Sequence, residues 1–210
     1  MSGQAVHTPQ NPTIPQAEIF AAICDDLTQQ SYSVQLQALP SALLALLHDR
    51  VQSEAGPIYT SAGIGRVADH HDDQSVRRDE TAWIDDITPA DHAWLAWMET
   101  LRTELNRQLF MGLTSAESHY ARYFKGGFYA RHTDAFTGAG NRKVSMVLFL
   151  NEAWVVADEG LLKLFVGAGQ LDEILVSPQL GTLVVFLSDE IPHEVLPTTC
   201  TRHSIASWYR

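Results

Sequence analysis

The first half of the chain has three segments in which apolar residues recur every three to four positions, a spacing typical of one buried helix face. The segments are 16–30, 41–53 and 88–110. Pro40 precedes the second segment, at a position where a helix tolerates proline. The third segment starts with Thr88 as the predicted N-cap and Pro89 at the first helical position. Its predicted buried stripe consists of Trp94, Leu95, Met98, Leu101 and Leu105.

After Gly112 the pattern changes to short apolar or alternating runs separated by glycine-containing turns, which is typical of β-strands. The predicted strands are 118–124, 128–134, 143–150, 161–165, 173–177, 181–188 and 202–209. Two earlier strands are predicted at 31–39 and 81–85. Helices followed by many short strands predict an α+β fold with a sandwich or barrel of jelly-roll type.

Polar segments mark the start and the middle of the chain. Residues 1–14 are polar and contain proline, so we expect a flexible arm ahead of a single domain over residues 15–210. The length of 210 residues also allows two small domains. Residues 61–80 combine two glycines with a dense cluster of charges, which predicts a long loop.

The charge of the chain argues against duplex nucleic acid as a partner. With 14 Lys and Arg against 25 Asp and Glu, the formal net charge is −11, whereas such binders usually present a basic face. No apolar run reaches membrane-spanning length, and the N-terminus lacks the basic and apolar regions of a secretion signal. Cys24 and Cys200 do not make a disulfide framework, so we expect a cytoplasmic protein with no membrane partner.

Candidate metal ligands first appear as a histidine and an aspartate two positions apart. Residues i and i+2 of a strand point to the same face, so His132 and Asp134 form a pair at the end of an aromatic strand. Two polar side chains on a core face are costly unless something, such as a metal ion, pairs with them. The same spacing occurs twice within residues 70–73, where we expect a solvated loop tip.

Two further polar residues lie near the C-terminal strands. His193 follows Pro192 after the apolar strand 181–188, and Arg202 opens the last strand on the same face as Trp208. A buried guanidinium needs an anionic partner, and its planar fork suits a carboxylate. The sequence offers no obvious Asp or Glu as the partner of Arg202. We therefore expect that partner to be the carboxylate of a ligand.

Two histidines and one carboxylate on one side of a metal leave other coordination positions open. That set suits non-haem Fe(II), but it also holds catalytic zinc. The ligands alone therefore do not settle the metal.

Several stretches of residues 60–210 match the motifs of one known family. They are AGIGR, RRDETAWID, RYFKGGFYARHTDAF, RKVSMVLFLNEAW, EGLLKLF and GTLVVFLSDEIPHEVLPTTCTRHSIASWYR. Through them the chain resembles the 2-oxoglutarate- and Fe(II)-dependent oxygenases, specifically bacterial relatives of the hypoxia-inducible-factor prolyl hydroxylases. The last stretch is the most specific, because P-H-E-V-x-P followed by Arg and W-Y is the C-terminal motif of that family.

The resemblance implies a double-stranded β-helix, or jelly-roll, core with N-terminal supporting helices. It implies that His132, Asp134 and His193 ligate Fe(II) and that Arg202 anchors the distal carboxylate of 2-oxoglutarate. O2 is then the second co-substrate, and the family admits ascorbate as a further cofactor.

Other positions take their expected roles from the same resemblance. Tyr123 and Trp208 match residues that line the co-substrate pocket, Arg142 matches one that touches substrate peptide, and residues 63–80 correspond to a mobile flap. Two departures stand out. Phe149 replaces a tyrosine whose hydroxyl helps to hold the same carboxylate as Arg202, and Glu159-Gly160 replaces a Gly-Gly pair.

The activity that the resemblance implies is hydroxylation of a prolyl residue in an intracellular protein, with release of succinate and CO2. Two alternatives stay open. One is an oxygenase acting on a free amino acid or small molecule, and the other is a metal-holding sensing module without turnover. A nucleic-acid demethylase of AlkB type is disfavoured by the charge and the motif context.

Overall fold

The computed structural model describes residues 15–62, 75–135 and 142–210, so the predicted arm over 1–14 lies outside the described residues. The helices in these ranges are α1 (Gln16–Gln30), α2 (Ser41–Gln52) and α3 (Pro89–Leu109). None of them is both long enough and apolar enough to span a membrane. The strands are β1 (Tyr32–Gln35), β2 (Thr60–Ser61), β3 (Glu80–Trp83), β4 (Ala116–Tyr123), β5 (Tyr129–His132), β6 (Val144–Phe149), β7 (Leu162–Val166), β8 (Asp172–Val176), β9 (Leu183–Leu187), β10 (His193–Val195) and β11 (Arg202–Tyr209).

A reciprocal capping pair starts α3 and confirms Thr88 as its N-cap. The Asp91 backbone N–H donates to the Thr88 hydroxyl at 3.2 Å, and the Thr88 N–H donates to the Asp91 carboxylate at 3.3 Å. Four residues of the predicted stripe are buried, but Leu95 is only half-buried and Trp97 is buried beside them. The reason is that α1 covers this side of α3, with the Phe20 ring 5.4 Å from that of Trp97.

The strands form two antiparallel sheets, which confirms the predicted α+β jelly-roll fold. The major sheet has the order β1-β9-β6-β11-β4-β3-β2, and the minor sheet has the order β5-β10-β7-β8. One buried apolar layer lies between the helices and the major sheet, and a second lies between the two sheets. Because side chains alternate along each strand, the major sheet contributes to both layers.

Some strand boundaries differ from the predicted ones. The first strand ends at Gln35, and Gln37 has a left-handed backbone with φ +53°. The sequence does not predict the short strands β2 and β10, because two or three residues show no alternation. β10 nevertheless pairs with both β5 and β7, and so it forms the centre of the minor sheet.

The turn before β7 is strained at one position. Glu159 has φ +56° and ψ −135°, a combination that non-glycine residues rarely adopt. Such a residue costs on the order of 1–3 kcal/mol. We expect Glu159→Gly to raise the free energy of unfolding by about 1 kcal/mol, because relief of strain exceeds the added entropy of the unfolded chain.

The neighbouring glycine provides the opposite test. Gly160 has φ +63°, and an added Cβ would lie 2.9 Å from Thr198 Cβ and 3.3 Å from Arg202 Cδ. Gly160→Ala should therefore lower the free energy of unfolding. Urea denaturation measures the free energy of unfolding of both variants. A loss of stability in Glu159→Gly would contradict the claim that Glu159 is strained.

Candidate active site

The three predicted metal ligands converge at the pairing of β5 with β10. His132 ends β5, Asp134 follows two residues later, and His193 opens β10 directly opposite His132 in the strand register. Their ligand atoms all lie within 4.8 Å of one another. Asp134 Oδ1 is 3.7 Å from His132 Nε2, and Asp134 Oδ2 is 3.6 Å from His193 Nε2. Antiparallel pairing thus brings together residues that are distant in the sequence.

Backbone carbonyls orient both imidazole rings. The Nδ1 N–H of His132 donates to the Ala130 carbonyl at 2.8 Å, and that of His193 donates to the Ile191 carbonyl at 3.2 Å. Since a carbonyl only accepts, each Nδ1 carries a proton, and in a neutral ring Nε2 then presents a lone pair. This outer hydrogen bond is typical of metal-binding histidines.

The charge states of the cluster also suit a cation. Burial and the neighbouring His193 lower the pKa of His132 to about 3, so its ring is neutral. Burial opposes ionisation of Asp134, but the two imidazoles and the Ser145 hydroxyl outweigh it and lower the pKa of the carboxyl. The Nε2 lone pair of His132 then faces an ionised carboxylate inside the protein. A divalent cation satisfies these donors, so the residues present fit Fe(II).

Arg202 provides a buried cation with unused hydrogen-bonding capacity. Its Nε donates to the Gly160 carbonyl at 3.0 Å and its Nη1 to the Ser204 hydroxyl at 3.2 Å. Its Nη2 is buried and has no hydrogen-bond partner among the described residues. Burial lowers the pKa of the guanidinium to about 10, because desolvation disfavours the charged form. Such a group fits the carboxylate of a ligand, as the resemblance to the oxygenases implies.

Two aromatic rings contact the Arg202 guanidinium. Its Cζ lies 5.0 Å from the centre of the Tyr123 ring and 4.9 Å from that of Phe149. Tyr123 is the register partner of Arg202 across β4 and β11, and Phe149 is fully buried opposite Ser204 on β6. Both rings therefore pack against the buried guanidinium. Ser204 supplies a hydroxyl at this place, whereas Phe149 supplies none.

Arg142 lies beside the cluster and packs on Trp208. Its Cζ is 3.6 Å from the centre of the Trp208 indole, and its Nη1 is 3.9 Å from Asp134 Oδ1. Glu117 accepts hydrogen bonds from Arg142 Nε at 2.9 Å and from Arg210 Nη2 at 2.8 Å. The sequence pointed to Arg142 but not to Glu117. Glu117 is the register partner of Trp208, a relation that appears only once β4 is known to pair with β11.

Part of the predicted flap is anchored beside the site. The predicted loop tip at 70–73 and the preceding residues from 63 lie outside the described residues, so the mobility of the flap stays a prediction. At the other end, the Ala130 N–H donates to the Val76 carbonyl at 2.8 Å, and the Arg78 N–H donates to the Phe128 carbonyl at 2.9 Å. The described end of the predicted flap is thus hydrogen-bonded to residues 128–130, which lead into His132.

Comparison with known proteins agrees with this geometry. A family model described as the 2OG-Fe(II) oxygenase superfamily matches residues 118–210, which include the three candidate ligands and Arg202. The crystal structure of a prolyl-4-hydroxylase from Pseudomonas putida is similar over 91% of this chain and 98% of that one, with 38% identity and a TM-score of 0.81.

More distant relatives share the fold or part of the sequence. A prolyl hydroxylase from Trichoplax adhaerens, solved with a peptide fragment of a hypoxia-inducible-factor oxygen degradation domain, superposes with a TM-score of 0.79 at 23% identity, over 92% of this chain and 90% of that one. Human Egl nine homolog 1 is 38% identical over 84 residues, which are 39% of this chain and 19% of that protein. The match thus spans about a fifth of the length of this curated relative.

Proposed function

This chain belongs to the 2OG-Fe(II) oxygenase superfamily, and we propose that it hydroxylates a prolyl residue of a protein, releasing succinate and CO2. Proline as the target is supported by the similarity to the Pseudomonas putida prolyl-4-hydroxylase, which extends over nearly the whole of both chains. A peptide substrate is supported by the peptide bound to the Trichoplax relative. The single observation that supports 2-oxoglutarate as co-substrate is the buried Arg202, whose Nη2 has no hydrogen-bond partner among the described residues.

Different residues of the site would bind the metal ion and the co-substrate. His132, Asp134 and His193 would hold Fe(II), and Arg202 would hold the far carboxylate of 2-oxoglutarate. When bound, the iron supplies the oxygen chemistry, in which one atom of O2 enters the substrate and the other enters succinate as CO2 leaves. The aromatic neighbours of Arg202 exclude water from its guanidinium, and this dry surrounding strengthens the ion pair with the co-substrate.

Substrate would approach from the side of His132. This side chain is the most exposed of the three ligands, 19% against 6% for His193. Arg142 lies on the same side, because it and His132 both approach Oδ1 of Asp134. We assign Arg142 to contact with the substrate peptide, and Trp208 to the pocket wall that supports it.

A cytoplasmic location is part of the proposal. Cys24 is a buried free thiol and Cys200 is a partly exposed one. Free thiols are typical of a reducing compartment. Fractionation of cells that make this protein tests the location.

The proposed activity is tested by comparing the proteomes of cells with and without the gene. Mass spectrometry should find at least one peptide whose proline carries an added oxygen atom only when the gene is present. Loss of the modification in a strain carrying His193→Ala would tie it to the site. A proteome without any gene-dependent prolyl oxygen would contradict the proposal.

Two other functions predict different results. An oxygenase acting on a free amino acid or another small molecule would form succinate without a protein target. A metal-holding sensing module would not bind 2-oxoglutarate at all, and Phe149 is the observation that favours it. Calorimetric titration with 2-oxoglutarate, followed by succinate assays with and without proline-containing protein, separates the three.

The residue at position 149 gives a specific prediction about the co-substrate. Phe149 contacts the Arg202 guanidinium and is fully buried. In Phe149→Tyr, a hydroxyl directed at the bound carboxylate should tighten 2-oxoglutarate binding up to about tenfold, the value of one hydrogen bond of about 1.4 kcal/mol. Isothermal titration measures the affinity. An unchanged affinity would mean that the carboxylate is held away from residue 149.

A further inference from the structure

Two buried serines of the major sheet side lie behind the carboxylate of Asp134: Ser145 contacts it, and Ser188 contacts Ser145. Ser145 is on β6, and Ser188 directly follows β9, the neighbouring strand. The Ser145 hydroxyl donates to Asp134 Oδ2 at 2.8 Å, and the Ser145 and Ser188 hydroxyl oxygens are also 2.8 Å apart. Both serines are at most 1% exposed, so water does not compete for these bonds.

The chemistry of the groups fixes the direction of both hydrogen bonds. An ionised carboxylate only accepts, so the single hydroxyl proton of Ser145 is directed to Asp134. The bond between the two serines then requires Ser188 to be the donor. The two hydroxyls therefore form a chain that runs from Ser188 through Ser145 to the carboxylate, and each bond strengthens the next.

The backbone around Ser188 supports the same part of the site. The Ala135 N–H donates to the Ser188 carbonyl at 3.2 Å, and the Ser188 N–H donates to the Lys143 carbonyl at 3.0 Å. Ser188 thus joins the residue after Asp134 to the start of β6. The carboxylate is held both through its own oxygen and through the adjoining main chain.

We propose that Ser145, supported by Ser188, is a positioning residue that presets the Asp134 carboxylate for the metal ion. The inference rests on the proposed role of Asp134 as a metal ligand and adds a residue that touches no metal itself. A free carboxylate rotates about its side-chain bonds, and fixing it beforehand removes that cost from metal binding. Loss of such an outer hydrogen bond typically weakens metal affinity by about 10- to 100-fold.

The same sheet contains a matched control. Ser118 on β4 donates to Ser207 on β11 at 2.7 Å, and both are at most 1% exposed. This pair lies on the face of the sheet that packs against α3, where Ser118 also accepts from the Trp94 indole at 3.1 Å. Ser207→Ala therefore removes a buried serine hydroxyl of the same kind without touching the carboxylate.

The test is titration of the metal-free protein with Mn(II), which replaces Fe(II) without oxidising, followed by electron paramagnetic resonance of the free ion. We expect Ser145→Ala to raise the Kd by about 10- to 100-fold. Ser188→Ala should raise it less, because Ser145 keeps its own bond to Asp134. Ser145→Thr, which retains the hydroxyl, should keep most of the metal affinity that the alanine variant loses. Ser207→Ala should leave the Kd unchanged.

Thermal unfolding of each variant, measured alongside, separates general loss of stability from loss of metal affinity. Equal Mn(II) affinity in Ser145→Ala and the wild type would overturn the inference while leaving the metal site intact. An equal loss in Ser145→Ala and Ser207→Ala would also overturn it. Absence of Mn(II) binding in the wild type would instead contradict the proposed function itself. If Ser145→Ala does not fold, Ser188→Ala becomes the deciding variant, and an unchanged Mn(II) affinity in it would overturn the inference.

Discussion

Replacing His193 with alanine is expected to abolish 2-oxoglutarate turnover while the protein stays folded. The side chain supplies one of three ligand atoms that lie within 4.8 Å of one another, and two remaining ligands hold a divalent ion poorly. A site with open coordination positions is typical of catalysis rather than of structural support, so the fold should survive. Succinate formation measures the turnover, and circular dichroism measures the fold.

His203 provides the control for this substitution. It is also a buried histidine, but it lies on the opposite face of β11 from Ser204, and burial lowers its pKa to about 4. His203→Ala should lose stability yet retain metal binding and turnover. Turnover that persists in His193→Ala would show that His193 is not a ligand.

Replacing Arg202 with lysine is expected to raise the KM for 2-oxoglutarate by roughly ten- to hundredfold. Lysine keeps the charge but loses the planar fork, and one charge-assisted hydrogen bond is worth about 1.5–3 kcal/mol. The lysine would also lose the bonds to Gly160 and Ser204, so thermal stability must be measured with the kinetics. We expect the KM of the lysine variant to rise even at temperatures at which the variant is fully folded.

Arg122 is the matched control for Arg202. It lies on β4 next to the register partner of Arg202, and it pairs with Glu80 at 2.5 Å. Its side chain lies over the ring of Tyr59 at 4.1 Å, on the other face of the sheet. Arg122→Lys should leave the KM for 2-oxoglutarate unchanged. A normal KM in Arg202→Lys would place the carboxylate elsewhere.

The sequence pointed to the residues that carry chemistry because their types are unusual for their places. The predicted strand 128–134 carries a histidine and an aspartate on one face, and an arginine opens an apolar strand; each of these polar groups needs a partner. The motif resemblance then selected His132 and Asp134 over the histidines at 70 and 71. Helix α3 was predictable for a similar reason, since its cap and its stripe are both local signals.

Features that depend on strand pairing or on the packing of the two sheets could not be predicted from the sequence. Glu117 reaches Arg142 because β11 pairs with both β4 and β6, and Ser145 of the major sheet reaches Asp134, which follows β5 of the minor sheet. Neither residue type is unusual on a strand, so neither gives a local signal. The same holds for β10, whose three residues become a strand through pairing on both sides.

The central claim, that this protein oxidises prolyl residues at the expense of 2-oxoglutarate, is tested most directly with isotopic oxygen. Protein extract from cells lacking the gene is treated with the purified protein, Fe(II) and 2-oxoglutarate under ¹⁸O₂, and digested peptides are analysed by mass spectrometry. We predict heavy oxygen on a specific proline, absent when His193→Ala replaces the wild type. Succinate formed without heavy oxygen on any proline would contradict the claim.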